Sequence, residues 1–172
     1  MLYEPGRYIC VGGKGFVPRA IELLTLSKYA HAVMVETSDG DIIEAMPGGV
    51  RRAHISRYAG LPACSNLAEP MTSVQQAQIL TAARGMLGVP YDDLAIADDA
   101  LEALGIRWKW LATVANGNHE LICSAAVAAM GAAAGYDWLC GRRVLSEVTP
   151  ANLAKRPWTI PIDIEPLRAA GA

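Results

Sequence analysis

One stretch limits the possible folds of this chain more than any other: "AHAVMVET", then "SDGD", then "IIEAM", residues 30 to 46. Two runs rich in Val, Ile and Met flank an Asp-Gly pair. Glycine tolerates the positive φ that a tight turn needs, so the pattern predicts a β-hairpin. The first run is apolar on both faces apart from His31 at its start, which suits a central strand covered on both sides.

The hairpin carries two polar residues of interest, and its register decides whether they meet. Glu44 is the only acid inside "IIEAM"; a carboxylate among buried apolar neighbours needs a partner, because desolvating it bare is costly. A two-residue turn at Asp39-Gly40 would set Glu44 opposite Val35, on His31's face but about 13 Å from it along the strand at ~3.4 Å per residue. A looser loop over Glu36 to Asp39 would set Glu44 directly opposite His31. Asp41 falls on the other face in both registers.

A third residue belongs with these two. "LICSAAVAAM" opens an Ala-rich apolar helix near Cys123. A thiol becomes a nucleophile only as thiolate, and a helix N-terminus offers partial positive charge and spare N–H donors that stabilise that anion. The same amides can receive the oxyanion of a tetrahedral intermediate. A Cys flanked by apolar residues also reads as a small core residue. As base, His31 stands at the strand's edge, His54 lies in a polar stretch beside Arg51 and Arg52 with an exposed position expected, and His119 is a loop residue and the substitute base. Glu44 would hold the imidazole tautomer and stabilise its protonated form. The basic pairs Arg51-Arg52 and Arg142-Arg143 read as solvated surface features.

Composition excludes several classes of function. The chain has 172 residues, 52% hydrophobic and 19% charged, which fits one ordered domain over residues 1–172. A net charge of -2 with scattered Lys and Arg argues against nucleic acid as a partner. Cys10, Cys64, Cys123 and Cys140 are 54, 59 and 17 residues apart, matching neither a zinc knuckle nor a dense disulfide framework. Thiols in a reducing compartment, with no metal or other cofactor, are the expectation. The start "MLYEPGRYICVGG" lacks the basic opening and apolar stretch of a signal peptide, and no run of roughly 18 apolar residues could span a membrane. A cytoplasmic location follows, or delivery by another machine.

The remaining elements are simpler. "RYICV" reads as a strand, "GGKGF" as a Gly-rich turn that lacks phosphate-loop spacing, and "VPRAIELLTL" as a helix with Pro18 in its first turn. "GGV" and "HISRYAG" read as loop and possible short strand, and Pro62 and Pro70 bound an irregular connector around Cys64. A helix is predicted from Ser73 as N-cap, with Gln76 three residues on, to Gly88 and Pro90. "YDDLAIADDALEALGI" reads as a helix with an acidic face. Gly131 and Gly135 bring the chain out of the Ala-rich helix. "TPANLA" predicts a helix capped by Thr149 with Pro150 at its first position, and "RPWTIPIDIEP" an extended tail.

The order His31, Glu44 thirteen residues on, then a distant "CS" at the start of an Ala-rich helix resembles the circularly permuted papain-like cysteine hydrolases of the NlpC superfamily. Within it, the likeness is to the YiiX/YaeF-like group, with lecithin retinol acyltransferase a distant cousin. "KYAHAVMVE" with "IIEAMPGGV" resembles the His hairpin of that family, "GVPYDD" its Gly-x-x-Tyr-Asp element, "LICSAAV" its Cys-Ser helix start and "TPANLA" its closing segment.

The resemblance implies an α+β fold in which a central antiparallel sheet or half-barrel packs against helices, with the nucleophile at a helix N-terminus. It implies Cys123 as nucleophile, His31 as general base and acid, Glu44 as orienting residue, and Tyr91 and Ser124 on the substrate side. The activity implied is metal-independent hydrolysis of an amide through a thioester, on peptide-like substrates such as the stem peptides of peptidoglycan. A lipid-directed acyltransferase or esterase, or a catalytically silent binding module on the same fold, are the alternatives. The oligomeric state is not legible.

Overall fold

The computed structural model describes residues 3–13, 27–46, 48–89, 119–138 and 148–166, and the side chains of 119–122 are excluded from that description. Among these residues the chain forms a mixed α+β structure around one six-stranded antiparallel sheet.

The strands are β1 (Tyr8–Val11), β2 (His31–Val35), β3 (Asp41–Met46), β4 (Gly49–His54), β5 (Ala63–Ser65) and β6 (Ile160–Ile162), in the spatial order β4-β3-β2-β1-β5-β6. β2 is a central strand, as its two apolar faces require. Beyond β4 the chain makes a 3₁₀ turn, Ile55–Tyr58, capped by His54, whose Nδ1 accepts from the Ser56 amide at 3.2 Å. The connector around Cys64, expected to be irregular, contributes β5 instead, and the expected tail supplies β6. Each finds a neighbouring strand to satisfy its backbone groups, which no local pattern foretells.

The register of the β2–β3 hairpin is neither of the two anticipated. Met34 faces Ile43 and Val35 faces Ile42, and the Glu36 amide donates to the Asp41 carbonyl at 2.8 Å. Extending this register sets Glu44 opposite Val33. The loop is Thr37 to Gly40, stitched by the Thr37 hydroxyl to Asp41 Oδ2 at 3.0 Å. Gly40, at φ +102°, is obligatory: a Cβ there would lie 2.9 Å from Ile55 Cγ2.

Three helices are described: α1 (Ser73–Gly85), α2 (His119–Ala132) and α3 (Pro150–Ala154). α1 is capped one residue earlier than expected. Thr72 accepts from the Gln75 amide and Gln75 reaches back, because "TSVQQ" offers two overlapping capping boxes and the first is used. It stops at Gly85, and Gly88 follows in a turn at φ +80°. α3 begins as predicted, with Thr149 as N-cap and Pro150 in the first turn. The helices predicted over 17–26 and 91–106 lie outside the described residues, as do Tyr91 and Cys140.

α2 positions the candidate nucleophile. All residues from Cys123 to Met130 are buried, so this helix is covered all round, and its alanines let it lie close against β2 and β3. It is held at its far end by a close approach: Gly131 lies under Trp138, where a Cβ would come within 2.2 Å of the indole. The core divides at the sheet. Tyr8, Cys10, Ala32, Met34, Ile43 and Ala45 pack towards α2, while Ile9, Val11, Val33, Val35, Ile42 and Ile55 form a second cluster on the other face. Cys10 and Cys64 are directly opposed across β1 and β5, and with Cys123 they are thiols in no disulfide.

Candidate active site

The site is assembled from β2, β3, β4 and the 3₁₀ turn. His31 is the first residue of β2 and Glu44 lies within β3. Because the β2–β3 register, extended past Met34–Ile43, sets Glu44 opposite Val33, Glu44 is the diagonal neighbour of His31 on one sheet face, a separation that long side chains can cross. His31 Nε2 stands 3.4 Å from Glu44 Oε2, an ion-pair contact without aligned hydrogen-bond geometry. Catalytic hydrogen bonds in unliganded sites are often long and tighten with substrate.

Glu44 is fully buried and intensively held. Its Oε1 accepts from Arg51 Nε at 3.1 Å and Arg57 Nη1 at 2.5 Å, and its Oε2 accepts from the Tyr58 hydroxyl at 2.5 Å. Burial pushes its carboxyl up, yet His31, Tyr58 and Arg57 together outweigh that and hold it down at about 2. Glu44 is therefore a carboxylate at any working pH. Burial and the neighbouring Glu44 push the Tyr58 phenol well above its ordinary range, so it remains a donor.

Arg51, Arg57 and Tyr58 were not legible as site residues. The missing signal was a hairpin at "MPGGV": Met46 pairs with Gly49 across a two-residue connection, and that register puts Arg51 opposite Glu44. Arg51 is thus no mere solvated surface feature. Arg52 points to the other face and binds Glu36, with Nε–Oε2 at 2.6 Å and Nη2–Oε1 at 2.9 Å.

The thiol approaches from the helix side. His31 and Glu44 share the face of Val11 and Val33, whereas α2 covers the opposite face; His31, as the first residue of β2, is still within hydrogen-bonding reach of the Cys123 side chain. Burial disfavours the imidazolium, but the charge and hydrogen bonding of Cys123, joined by the pull of Glu44, raise His31 to about 9. Protonated imidazole is thus favoured at neutral pH beside both groups.

Three expectations about the nucleophile's surroundings are corrected. α2 begins at His119, which makes Cys123 its fifth residue rather than its first. The helix start extends through "HELI" because nothing in those residues breaks a helix. Only the first four amides of a helix lack an internal acceptor, so the Cys123 amide is not among the spare donors of the terminus. His119 is helical, not in a loop. Ser124, expected on the substrate side, is fully buried, and its hydroxyl donates to the Val148 carbonyl at 2.5 Å. It ties α2 to the approach of α3. His54, also considered as a base, is half-buried and engaged at both nitrogens, with Ser56 Oγ at 2.8 Å and the Asp39 carbonyl at 2.9 Å.

Comparison with known proteins gives a single kind of match. No family model matches the chain, and no curated protein does. Among solved structures it is similar to metalloprotein yiiX from Escherichia coli O157:H7, DUF1105, at 19% sequence identity and a TM-score of 0.54, over 96% of this chain and 99% of that one. The fold is yiiX-like. At that identity the likeness speaks for the fold alone.

The neighbour's description as a metalloprotein prompts a test of the residues present. Among the described residues, no three His, Cys, Asp or Glu side chains cluster as a ligand set. Both oxygens of Glu44 are already taken by two guanidiniums and a phenol, and a divalent cation placed against them would face two positive charges. The His31–Glu44 pair does not fit a metal centre. No helix among the described residues is long and apolar enough to cross a membrane.

Proposed function

We propose that this chain is a cysteine hydrolase of the permuted papain-like type, with Cys123 as nucleophile, His31 as general base and acid, and Glu44 as the residue that orients and charges the imidazole. One observation supports the reading above the rest: three side chains from distant parts of the chain, Cys123, His31 and Glu44, form one electrostatically coupled group in which His31 lies between a thiol and a buried carboxylate. Burial alone would lower a core histidine, whereas Cys123 and Glu44 raise this one to about 9, which suits a group that exchanges a proton with a thiol.

The reaction follows from that arrangement. The Cys123 sulfur attacks the carbonyl carbon of an amide, forming a C–S bond as the carbonyl electrons move to oxygen. Collapse breaks the C–N bond, and His31 gives its proton to the departing amine. Water then attacks the thioester with His31 taking its proton, and the thiolate leaves. With Nε2 against Glu44, Nδ1 is the nitrogen left for these transfers. Cys123 is only 2% exposed and His31 14%, so the carbonyl has to enter along the open side of the imidazole. Peptide-like amides, as in peptidoglycan stem peptides, are the proposed substrates.

Wild type and Cys123→Ala are to be incubated with peptidoglycan fragments and, separately, with phospholipid, and the products weighed by mass spectrometry. New amine and carboxyl ends in peptidoglycan, from wild type alone, are the expected result. Acyl products from phospholipid would move the activity to lipids. Products from neither, together with a Cys123 that resists iodoacetamide near neutral pH, would overturn the catalytic reading in favour of a silent module.

A further inference from the structure

The carboxylate of Glu44 is held by more positive charge than it needs. One guanidinium would balance it; two, Arg51 and Arg57, are bound to the same oxygen. Among the described residues, the ion pairs of both arginines go to Glu44. The group of Glu44, Arg51 and Arg57 therefore carries one uncompensated positive charge. A thiolate–imidazolium pair, being neutral as a whole, leaves that surplus in place.

The surplus is also accessible. Arg51 is 48% exposed and contributes only Nε to Glu44, and Arg57 is 41% exposed and contributes only Nη1. Each retains unused N–H groups on a planar fork whose position is already fixed by the buried carboxylate. Such pre-oriented forks match the oxygens of a carboxylate or phosphate. Elsewhere the same motif is neutralised: Glu36 also binds two guanidiniums, Arg52 and Arg84, but Asp41 acts on Arg52 as a second acid.

We infer that Arg51 and Arg57 form an anion-recognition subsite beside His31, fitted to an amide substrate that bears a carboxylate or phosphate close to its scissile bond. This deepens the hydrolase proposal and rests on it for the meaning of "scissile". The subsite couples recognition to the reaction, because the cations that receive the substrate's charge are those that position Glu44. They are specificity-determining residues acting on substrate and positioning residues acting on His31.

The test separates binding from turnover by using the Cys123→Ser protein. Affinities are measured by calorimetry for N-acetyl-alanyl-alanine, for its C-terminal carboxamide, and for N-acetyl-O-phosphoserine amide. The acid should bind roughly tenfold more tightly than the carboxamide, a difference of about 1.4 kcal/mol, and added salt should erode that preference. The phosphorylated probe tells whether phosphate serves as well as carboxylate. Arg51→Gln or Arg57→Gln should reduce the acid-to-amide ratio towards unity. Arg84→Gln, at the balanced Glu36 cluster, should leave it unchanged. Equal binding of acid and carboxamide with no gain for the phosphorylated probe, or binding of none of the three, overturns the subsite. Failure of the catalytic proposal looks different: anion preference persists in Cys123→Ser while wild type cleaves nothing.

Discussion

Glu44 reaches His31 diagonally across the sheet, not from the position directly opposite it. The observed hairpin register sets Glu44 against Val33, two residues along β2 from His31, yet Oε2 lies 3.4 Å from Nε2. The diagonal leaves Oε1 turned towards β4 and the 3₁₀ turn, where Arg51 and Arg57 bind it. One carboxylate thus serves two purposes with two oxygens, and changing it should affect both.

Glu44→Gln keeps the shape of the side chain and removes the charge. His31, raised from 6.5 to about 9 in part by Glu44, should fall towards its ordinary value, and the alkaline limb of the kcat/KM profile should move to lower pH with it. A loss of roughly 10²–10⁴-fold in kcat is expected for an impaired general acid–base. The variant should also melt earlier, because Arg51 and Arg57 lose their anion. A pH–rate profile that does not move would remove Glu44 from the mechanism.

Stability should decline on both sides of neutrality, by different groups. Arg52 and Arg84 hold Glu36 at about 2, and Glu44 is held at about 2 against its own burial, each below an ordinary 4.5. A depressed carboxyl favours the folded state above its unfolded value, so this contribution is present above 4.5 and is lost as pH falls towards about 2. His31 has the opposite sign: raised to about 9, it contributes fully below 6.5 and the contribution fades as pH rises through about 9. Urea midpoints across this range check both limbs, and Glu36→Gln should flatten the acid one.

Local chemistry was readable in the sequence; pairing between distant segments was not. Thr149 with Pro150 announced α3 because a cap needs only neighbouring residues. The apolar run after His31 announced a central strand for the same reason. The register of that strand depended on where the loop falls, and Thr37 to Gly40 sets a register midway between the two considered. Arg51 and Arg52 looked like a surface pair because only the β3–β4 register sends them to opposite faces, Arg51 to Glu44 and Arg52 to Glu36. Ser124 was expected on the substrate side, but its hydroxyl donates to the Val148 carbonyl, 24 residues away in the chain. Glu44 itself was legible, since a buried carboxylate must find partners. Which partners it found was a matter of topology.

Gly131 has no room for a side chain. A Cβ would sit 2.2 Å from Trp138 Cε3, and Trp138 cannot retreat: it is fully buried, its Nε1 donates to Glu69 Oε2 at 3.0 Å, and its ring stacks with Tyr136 at 5.4 Å. Gly131→Ala should cost about 1–3 kcal/mol, the usual range for overpacking. Thermal melting and the near-ultraviolet circular dichroism of Trp138 report it. An unchanged melting temperature would mean that α2 and Trp138 are less tightly apposed than their geometry states.

Tyr58 offers a separation of positioning from simple support. Its hydroxyl donates to Glu44 Oε2 at 2.5 Å, on the oxygen that faces His31, and its ring lies 5.8 Å from the imidazole. Tyr58→Phe keeps the ring and deletes the donor. Glu44 then loses one of the influences that hold its carboxyl down, so it should titrate higher, and Oε2 loses the bond that aims it at His31. A hydrogen bond to a charged group contributes about 1.5–3 kcal/mol to stability, of which only the part felt at His31 reaches the rate. The expected result is a drop of about tenfold or less in kcat with little change in KM. A lowered melting temperature alone would indicate mere support. A kcat loss accompanied by a displaced pH–rate profile would show that the phenol acts through the carboxylate, because packing by itself has no means of moving the pH at which His31 releases its proton.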